Sequence, residues 1–271
     1  MSLPLDRIRA IADAATQVDG AEPLDEATWL ALRAGADGWT ITATDLAFAL
    51  THGEDLHLVV HPDGRGRGLA RGLLWDVRGP SQAWSHGDHP AAATLAREFG
   101  YDRVRDLWVM RRPMSEPLPH LRSDVAIRAW TTADTDELLR VNAEAFASHP
   151  EQGAMDGANL AARMAEPWFD PAGLLVAVDG TRMLGFHWTK QHSADLGEVY
   201  VVGIDPAAQG RGLGRALTLA GLRHLAGLGV REVLLYVEAD NHAALSTYSR
   251  LGFTHADADT HVMYRRDGWR S

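Results

Sequence analysis

One stretch of the chain occurs twice, about 144 residues apart. The first copy runs His61-Pro62-Asp63-Gly64-Arg65-Gly66-Arg67-Gly68-Leu69-Ala70. The second runs Asp205-Pro206-Ala207-Ala208-Gln209-Gly210-Arg211-Gly212-Leu213-Gly214. Each follows a short apolar run, Leu58-Val59-Val60 or Val201-Val202-Gly203-Ile204, and each leads into an apolar helical pattern. A strand, a glycine loop and a helix N-terminus together make an anion site, because the first N–H groups of a helix have no internal acceptor. Two copies predict a duplicated α/β unit with two phosphate-bearing ligand sites.

The repeat extends past the loops. Gly100-Tyr101 matches Gly252-Phe253, His89 falls opposite Asn241, and Ala96 falls opposite Tyr248. Val109-Met110-Arg111-Arg112 resembles Val262-Met263-Tyr264-Arg265-Arg266 after a one-residue shift. A length of 271 residues suits two small domains. The expected division is 1–118 and 119–271, because Pro113, Pro117 and Pro119 disfavour a helix and suit an extended linker.

Apolar periodicity and turn signals place the elements of the second half. Strands are expected at 125–128, 173–178, 183–190, 197–202, 233–237 and 261–265. Helices are expected at 134–146, 159–165, 213–228 and 243–251. The first half reads as an abbreviated version, with helices near 5–17, 25–34, 69–75 and 90–99. Its strands fall near 39–42, 46–51, 56–60, 83–85 and 106–111.

A net charge of −10 argues against general nucleic-acid binding, which needs basic stripes, but says little about small anions. With no cysteine, disulfides, thiolate metal sites and thiol nucleophiles are excluded. That fits a reducing cytoplasm, the expected location. The first residues do not read as a signal peptide, and no apolar run reaches 18 residues. A monomer that binds neither nucleic acid nor membrane is expected.

Several ligand classes compete for the loops. A Walker loop needs Gly-Lys-Ser/Thr at its end, and neither copy has that Lys. A dinucleotide fold puts the loop near the start of a βαβ unit, whereas the second loop follows several strands. Glycines serving only a tight helix entry remain an alternative. The pattern x-Pro-x-x-Arg/Gln-Gly-x-Gly-x-Gly/Ala, between an apolar strand and a helix, resembles the acetyl-CoA motif of the GCN5-related N-acetyltransferases. The resemblance covers both halves and is strongest from Gly185 to Phe253.

It implies two tandem domains, each a mixed, mostly antiparallel sheet flanked by helices (α/β, or α+β). It also implies that backbone N–H groups from Gln209 to Gly214 hold the CoA pyrophosphate. Gln209, Gly210, Arg211, Gly212, Leu213, Gly214 and Arg215 then form the phosphate loop, and pantetheine lies along Val202, Gly203 and Ile204. Asn241 contacts pantetheine, with His242, Ala243, Ala244, Leu245 and Ser246 following it. For Asn241, a helix N-cap is an equally ordinary role. In the first half the counterparts are Leu58, Val59, Val60, Gly66, Arg67, Gly68, Leu69, Ala70 and Arg71, so two acetyl-CoA molecules per chain are expected.

Acetyl transfer from a thioester to an amine needs a base for the amine, stabilisation of the oxyanion and a proton for the leaving thiolate. Tyr248 matches the tyrosine that protonates the thiolate in many family members; the alternative is a core tyrosine. Glu198 opens the strand ending at the second loop and can accept the amine proton; the alternative is a solvated edge carboxylate. The first half has Ala96 in place of Tyr248, and Glu54 matches Glu198 only by counting. It is therefore expected to bind acetyl-CoA without turning it over.

Longer blocks narrow the acceptor. They include Arg140-Val141-Asn142, Trp168-Phe169-Asp170-Pro171, Gly185-Phe186-His187-Trp188-Thr189-Lys190, Leu196-Gly197-Glu198-Val199-Tyr200-Val201 and Leu234-Leu235-Tyr236-Val237-Glu238. These resemble the mycothiol synthase family of actinobacteria. That family acetylates the cysteinyl amine of cysteinyl-glucosaminyl-inositol. The resemblance implies acceptor binding by Glu151, Lys190, Glu198 and Tyr236, with Glu26 contributed by the first half. Taken singly, Lys190 and Glu151 read as surface charges. An aminoglycoside or a protein N-terminus is the alternative acceptor, and a non-catalytic acetyl-CoA-binding regulator is the alternative class. His187 and His192 have no ligand partner at helical spacing, so no metal site is expected.

Overall fold

Turn chemistry shapes the sheet around the second loop. Gly180 sits at φ +60, a conformation that favours glycine, and returns one strand into the next. The computed structural model describes residues 5–77, 79–120, 123–147, 153 and 155–266. In chain order the elements are α1 (Leu5–Asp19), α2 (Glu26–Arg33), β1 (Thr40–Ala43), β2 (Ala47–His52), β3 (Asp55–Val60), α3 (Leu69–Asp76), β4 (Gln82–Ser85), α4 (Pro90–Glu98) and β5 (Asp102–Pro113). They continue with β6 (Ala126–Ala129), α5 (Thr135–Ala145), α6 (Gly157–Met164), β7 (Leu174–Asp179), β8 (Arg182–Gln191), β9 (Leu196–Ile204), α7 (Leu213–Gly227), β10 (Glu232–Glu238), α8 (His242–Ser249) and β11 (Thr254–Arg265). No helix among the described residues is long and apolar enough to cross a membrane.

The chain divides into two compact units, Met1–Trp108 with Ala256–Ser271, and Val109–His255. This differs from the expected division at 118/119. The last strand belongs to the first unit, because Val262, Met263, Tyr264 and Arg265 pair antiparallel with Ser85, Trp84, Ala83 and Gln82. The proline segment also differs from a linker, since it packs within the second unit. Met114 N–H donates to Arg231 O at 2.8 Å. Arg112, 1% exposed, donates to the carbonyls of Leu251, Pro113 and Glu116. Three prolines without strand character gave no hint of Arg231 and Leu251, the two partners remote in sequence.

In the first unit, β1, β2 and β3 form an antiparallel meander, and β3 pairs parallel with β4. Alternation along β2 sends Phe48 and Leu50 to one face, against Ile8 and Ile11 of α1 and Leu32 of α2. Ala47 and Ala49 face Leu73 and Leu74 of α3 on the other. In the second unit, β6 to β9 are antiparallel and β10 runs parallel to β9. Leu138 and Val141 of α5 and Leu160 of α6 cover Val176, Phe186, Trp188 and Val201.

Helix α7 covers the opposite face, and Gly221 permits its close approach. A Cβ on Gly221 would overlap the His187 ring and come within 2.9 Å of Thr189 Cγ2. His187 is fully buried, its Nδ1–H donates to Leu217 O at 2.9 Å, and burial pushes its pKa down to about 4. Gly→Ala inside a helix ordinarily gains up to ~1 kcal/mol. Here overpacking against the ring reverses the sign, and Gly221→Ala should destabilise by about 1–3 kcal/mol. A urea midpoint unchanged or raised in the variant would contradict this packing.

Candidate active site

The cleft of the second unit begins where two strands part. β9 and β10 pair from Leu196↔Glu232 to Val199↔Leu235 and no further, although β9 runs on to Ile204 and β10 to Glu238. Beyond that point β9 keeps only its pairing with β8, with Val202 opposite His187, Gly203 opposite Phe186 and Ile204 opposite Gly185. A bulge sets Trp188 opposite Val201 and Thr189 opposite Val199, which leaves Tyr200 as the extra residue. Gly203 is required here, because a Cβ would meet the Phe186 ring at 2.5 Å.

The loop after β9 is rigidly held. Asp205, 1% exposed, accepts from Ala207 N–H at 2.8 Å and from Arg140 and Arg182 at 3.1 and 2.9 Å. Burial pushes its carboxyl's pKa up, but the hydrogen bonds from Arg182, Ala207 N–H and Arg140 together outweigh it and hold the group below the usual range. Gly210 and Gly212 stand at φ +79 and +74, and no side chain caps α7. The first N–H groups of α7 therefore face the cleft end of β9 without an internal partner, the arrangement that binds phosphate.

The expected CoA residues sit together but differ in what they can offer. Leu213 packs into the core with Leu184 and Ala208, so only its backbone N–H serves a ligand. Arg211 is already paired with Asp124 at 2.7 Å. Gln209, Gly210 and Gly212 are exposed, and Gly214 and Arg215 half-buried. Asn241 caps α8, its Oδ1 accepting from Ala244 N–H at 3.1 Å, which leaves its amide N–H₂ to donate elsewhere. His242, Ala243, Ala244, Leu245 and Ser246 form the first turns of α8. Tyr248 follows on the same helix, partly buried, with its ring edge-on to Phe253 at 5.9 Å. Burial pushes its phenol up to about 12, and the hydroxyl makes no hydrogen bond among the described residues.

One face of the β8–β9 hairpin gathers the acceptor candidates. Lys190 and Glu198 are cross-strand partners. Lys190 is buried, with Nζ 4.6 Å from the Trp168 ring centre and 5.3 Å from that of Tyr200. Trp168, Trp188 and Tyr200 contact one another at 5.0 to 5.9 Å, giving the face aromatic walls. Glu198 is 5% exposed and bonds His192 Nε2 through Oε2 at 2.6 Å. Tyr236, 44% exposed, lies one residue past the last β9–β10 pair. Glu151 lies outside the described residues, as does the side chain of Glu26, whose backbone opens α2.

In the sequence His192 stands out only as a possible metal ligand, and nothing in its spacing shows the pairing with Glu198. The signal lay in the hairpin: a tight turn closed by His192 N–H to Leu196 O brings position 192 back to position 198. Among the described residues no group of three or more His, Asp or Glu side chains is placed to hold a metal.

The first unit repeats the cleft. β3 and β4 pair only at Asp55↔Gln82 and Leu56↔Ala83. Past them Leu58, Val59, Val60, Gly66, Gly68, Leu69, Ala70 and Arg71 line a cavity of about 590 Å³. Gly66 and Gly68 stand at φ +73 and +79, and α3 has no side-chain cap. Arg67 is exposed, and Arg71 is paired with Glu98 at 2.6 Å. Glu54 lies in the exposed β2–β3 turn, unlike the buried Glu198.

The profile of the acetyltransferase (GNAT) family matches residues 136–253. A GCN5-related N-acetyltransferase from Sphaerobacter thermophilus shares the fold at a TM-score of 0.73 and 22% identity, over 100% of this chain and 96% of its own. A tandem GNAT protein from the clavulanic acid biosynthesis pathway does so at 0.71 and 17%, over 99% and 97%. The family profile, together with near full-length relatives, defines the class: an acetyl-CoA-dependent N-acetyltransferase. A mycothiol acetyltransferase of a Nocardioides species is 58% identical over 97% of both chains, and that of Salinispora tropica 47% identical over 95% of this chain and 92% of its own. The chain belongs to the mycothiol acetyltransferase family.

Proposed function

We propose that the protein transfers the acetyl group of acetyl-CoA to the cysteinyl amine of cysteinyl-glucosaminyl-inositol, the step that completes mycothiol. The near full-length identity to mycothiol acetyltransferases carries this reading. The site chemistry supports it. A sugar-inositol acceptor offers many hydroxyls, and Glu198, Lys190 and Tyr236 on or beside one hairpin face suit such groups.

The residues have separable tasks in this reading. Amides at the start of α7 and the loop glycines hold the pyrophosphate, and β9 from Val202 to Ile204 guides pantetheine into the gap left by β10. When bound, acetyl-CoA supplies the activated acyl group. Glu198 accepts the amine proton, and the His192 bond holds its carboxylate in one orientation. Backbone N–H groups at the Tyr200 bulge are the candidates to receive the developing oxyanion. Tyr248 returns a proton to the thiolate. The first unit serves as an acetyl-CoA-binding domain without turnover, because it has the loop and cavity but Ala96 and an exposed Glu54.

Purified protein given acetyl-CoA and cysteinyl-glucosaminyl-inositol should produce CoA and the N-acetylated product in equal amounts. Chromatography is the proper readout, since the acceptor carries its own thiol. No product, together with turnover of an aminoglycoside or a peptide N-terminus, would remove the mycothiol assignment.

A further inference from the structure

The first unit lacks a counterpart of Tyr248, yet its cavity keeps a phenol supplied from another element. Tyr264 on β11 stands directly opposite Ala83 of β4. Ala83 is also the last β4 residue paired with β3, so Tyr264, on the strand that borders β4 on its other side, is level with the point where β3 and β4 part. Its ring packs with Ala96, the residue at the Tyr248 position, and with Tyr101 and Val262. Tyr264, Ala83 and Ala96 are all on the wall of the 590 Å³ cavity. The side chain is 6% exposed, and its hydroxyl is buried with no hydrogen-bond partner among the described residues. The other phenol on that wall, Tyr101, already donates to Pro80 O at 2.9 Å. A buried hydroxyl left unpaired costs free energy that a ligand acceptor would recover.

We infer that Tyr264 is the hydrogen-bond donor of the first unit's cleft and binds the thioester end of an acyl-CoA held there. The inference rests on the reading that this unit takes acetyl-CoA. Burial, reinforced by the Asp88 and Asp106 carboxylates and opposed by Arg103, raises the phenol's pKa, so it remains a protonated donor at neutral pH. The strand that brings it is the last among the described residues. The aligned residue in the second unit, Arg111, is paired with Glu232 at 2.9 Å instead. The two clefts therefore obtain their phenols differently, Tyr248 from a helix and Tyr264 from a strand.

The test uses the full chain carrying Gly212→Asp, which places a carboxylate in the second phosphate loop and leaves the first loop to be titrated. Calorimetry with acetyl-CoA should show one site, and adding Tyr264→Phe should weaken it by about 3- to 10-fold, the range for one lost hydrogen bond. Adenosine 3′,5′-bisphosphate, which has no thioester end, should bind both chains equally. The unliganded Tm should be unchanged or higher in Tyr264→Phe, since the removed hydroxyl has no partner. Unchanged acetyl-CoA affinity, an equal loss for the bisphosphate, or a lowered unliganded Tm overturns the role of Tyr264 while leaving first-unit binding standing. No acetyl-CoA binding to the Gly212→Asp chain removes the first-unit reading and this inference with it. Should Gly212→Asp not fold, a two-site titration of the otherwise unaltered chain, with Tyr264→Phe weakening one site only, gives the same decision.

Discussion

Glu198→Gln should lower kcat by about 100- to 10,000-fold, the span for a lost general base, with the affinity for acetyl-CoA nearly unchanged. The amide matches the carboxylate in shape, so the β8–β9 hairpin and the packing around residue 198 should survive. What disappears is the proton acceptor. Glu198 is 5% exposed, and its one described side-chain partner is His192 at 2.6 Å, so bulk water is a poor substitute at that spot. The phosphate loop, by contrast, is built by Asp205, Gly210 and Gly212 on a different part of the unit and should not sense the change. Steady-state kinetics with both substrates, and a separate acetyl-CoA titration, make the distinction. A variant with normal kcat would place the base elsewhere; one that loses acetyl-CoA binding would show that the residue supports the fold.

Tyr248→Phe should lower kcat by about 10- to 1000-fold through lost general-acid help. The substitution keeps the ring against Phe253 and removes an oxygen that bonds nothing among the described residues, so stability should hold. The phenol's pKa is raised to about 12, which means the acid form persists through neutral and moderately alkaline pH and is lost only as pH approaches that value. Wild-type kcat should therefore show no decline from Tyr248 ionisation below about pH 11. Undiminished kcat in the Phe variant would rule out the phenol as proton donor. A wild-type decline centred well below that pH, absent in Tyr248→Phe, would show that burial does not hold the phenol neutral.

Much of this architecture is local and could be read from the chain. Gly66, Gly68, Gly210 and Gly212, read as parts of two glycine loops, all take positive φ, and short 3-10 turns at Pro62 and Pro206 precede them. Period-two and period-3.6 patterns placed the described strands and helices to within a few residues, apart from β5 and β11, which are longer. The longer strands are where local patterning ended: β11 is polar until Thr260 and reads as loop, but pairing elsewhere carries it as strand from Thr254.

The sequence by itself therefore determined the duplication, the two glycine loops, and the contrast between Tyr248 and Ala96. Only the tertiary structure decided which unit holds the last strand, that Arg112 ties the proline segment into the second unit, and that His192 meets Glu198. It also brought Tyr264 beside Ala96. The physical reason is range. A turn or a helix start is written in neighbouring residues whose φ and ψ it constrains, whereas a strand's alternation says that it pairs but not with what. The aligned position in the first cleft, Ala96, carries no phenol, and strand pairing brings Tyr264 beside it from a segment far along the chain.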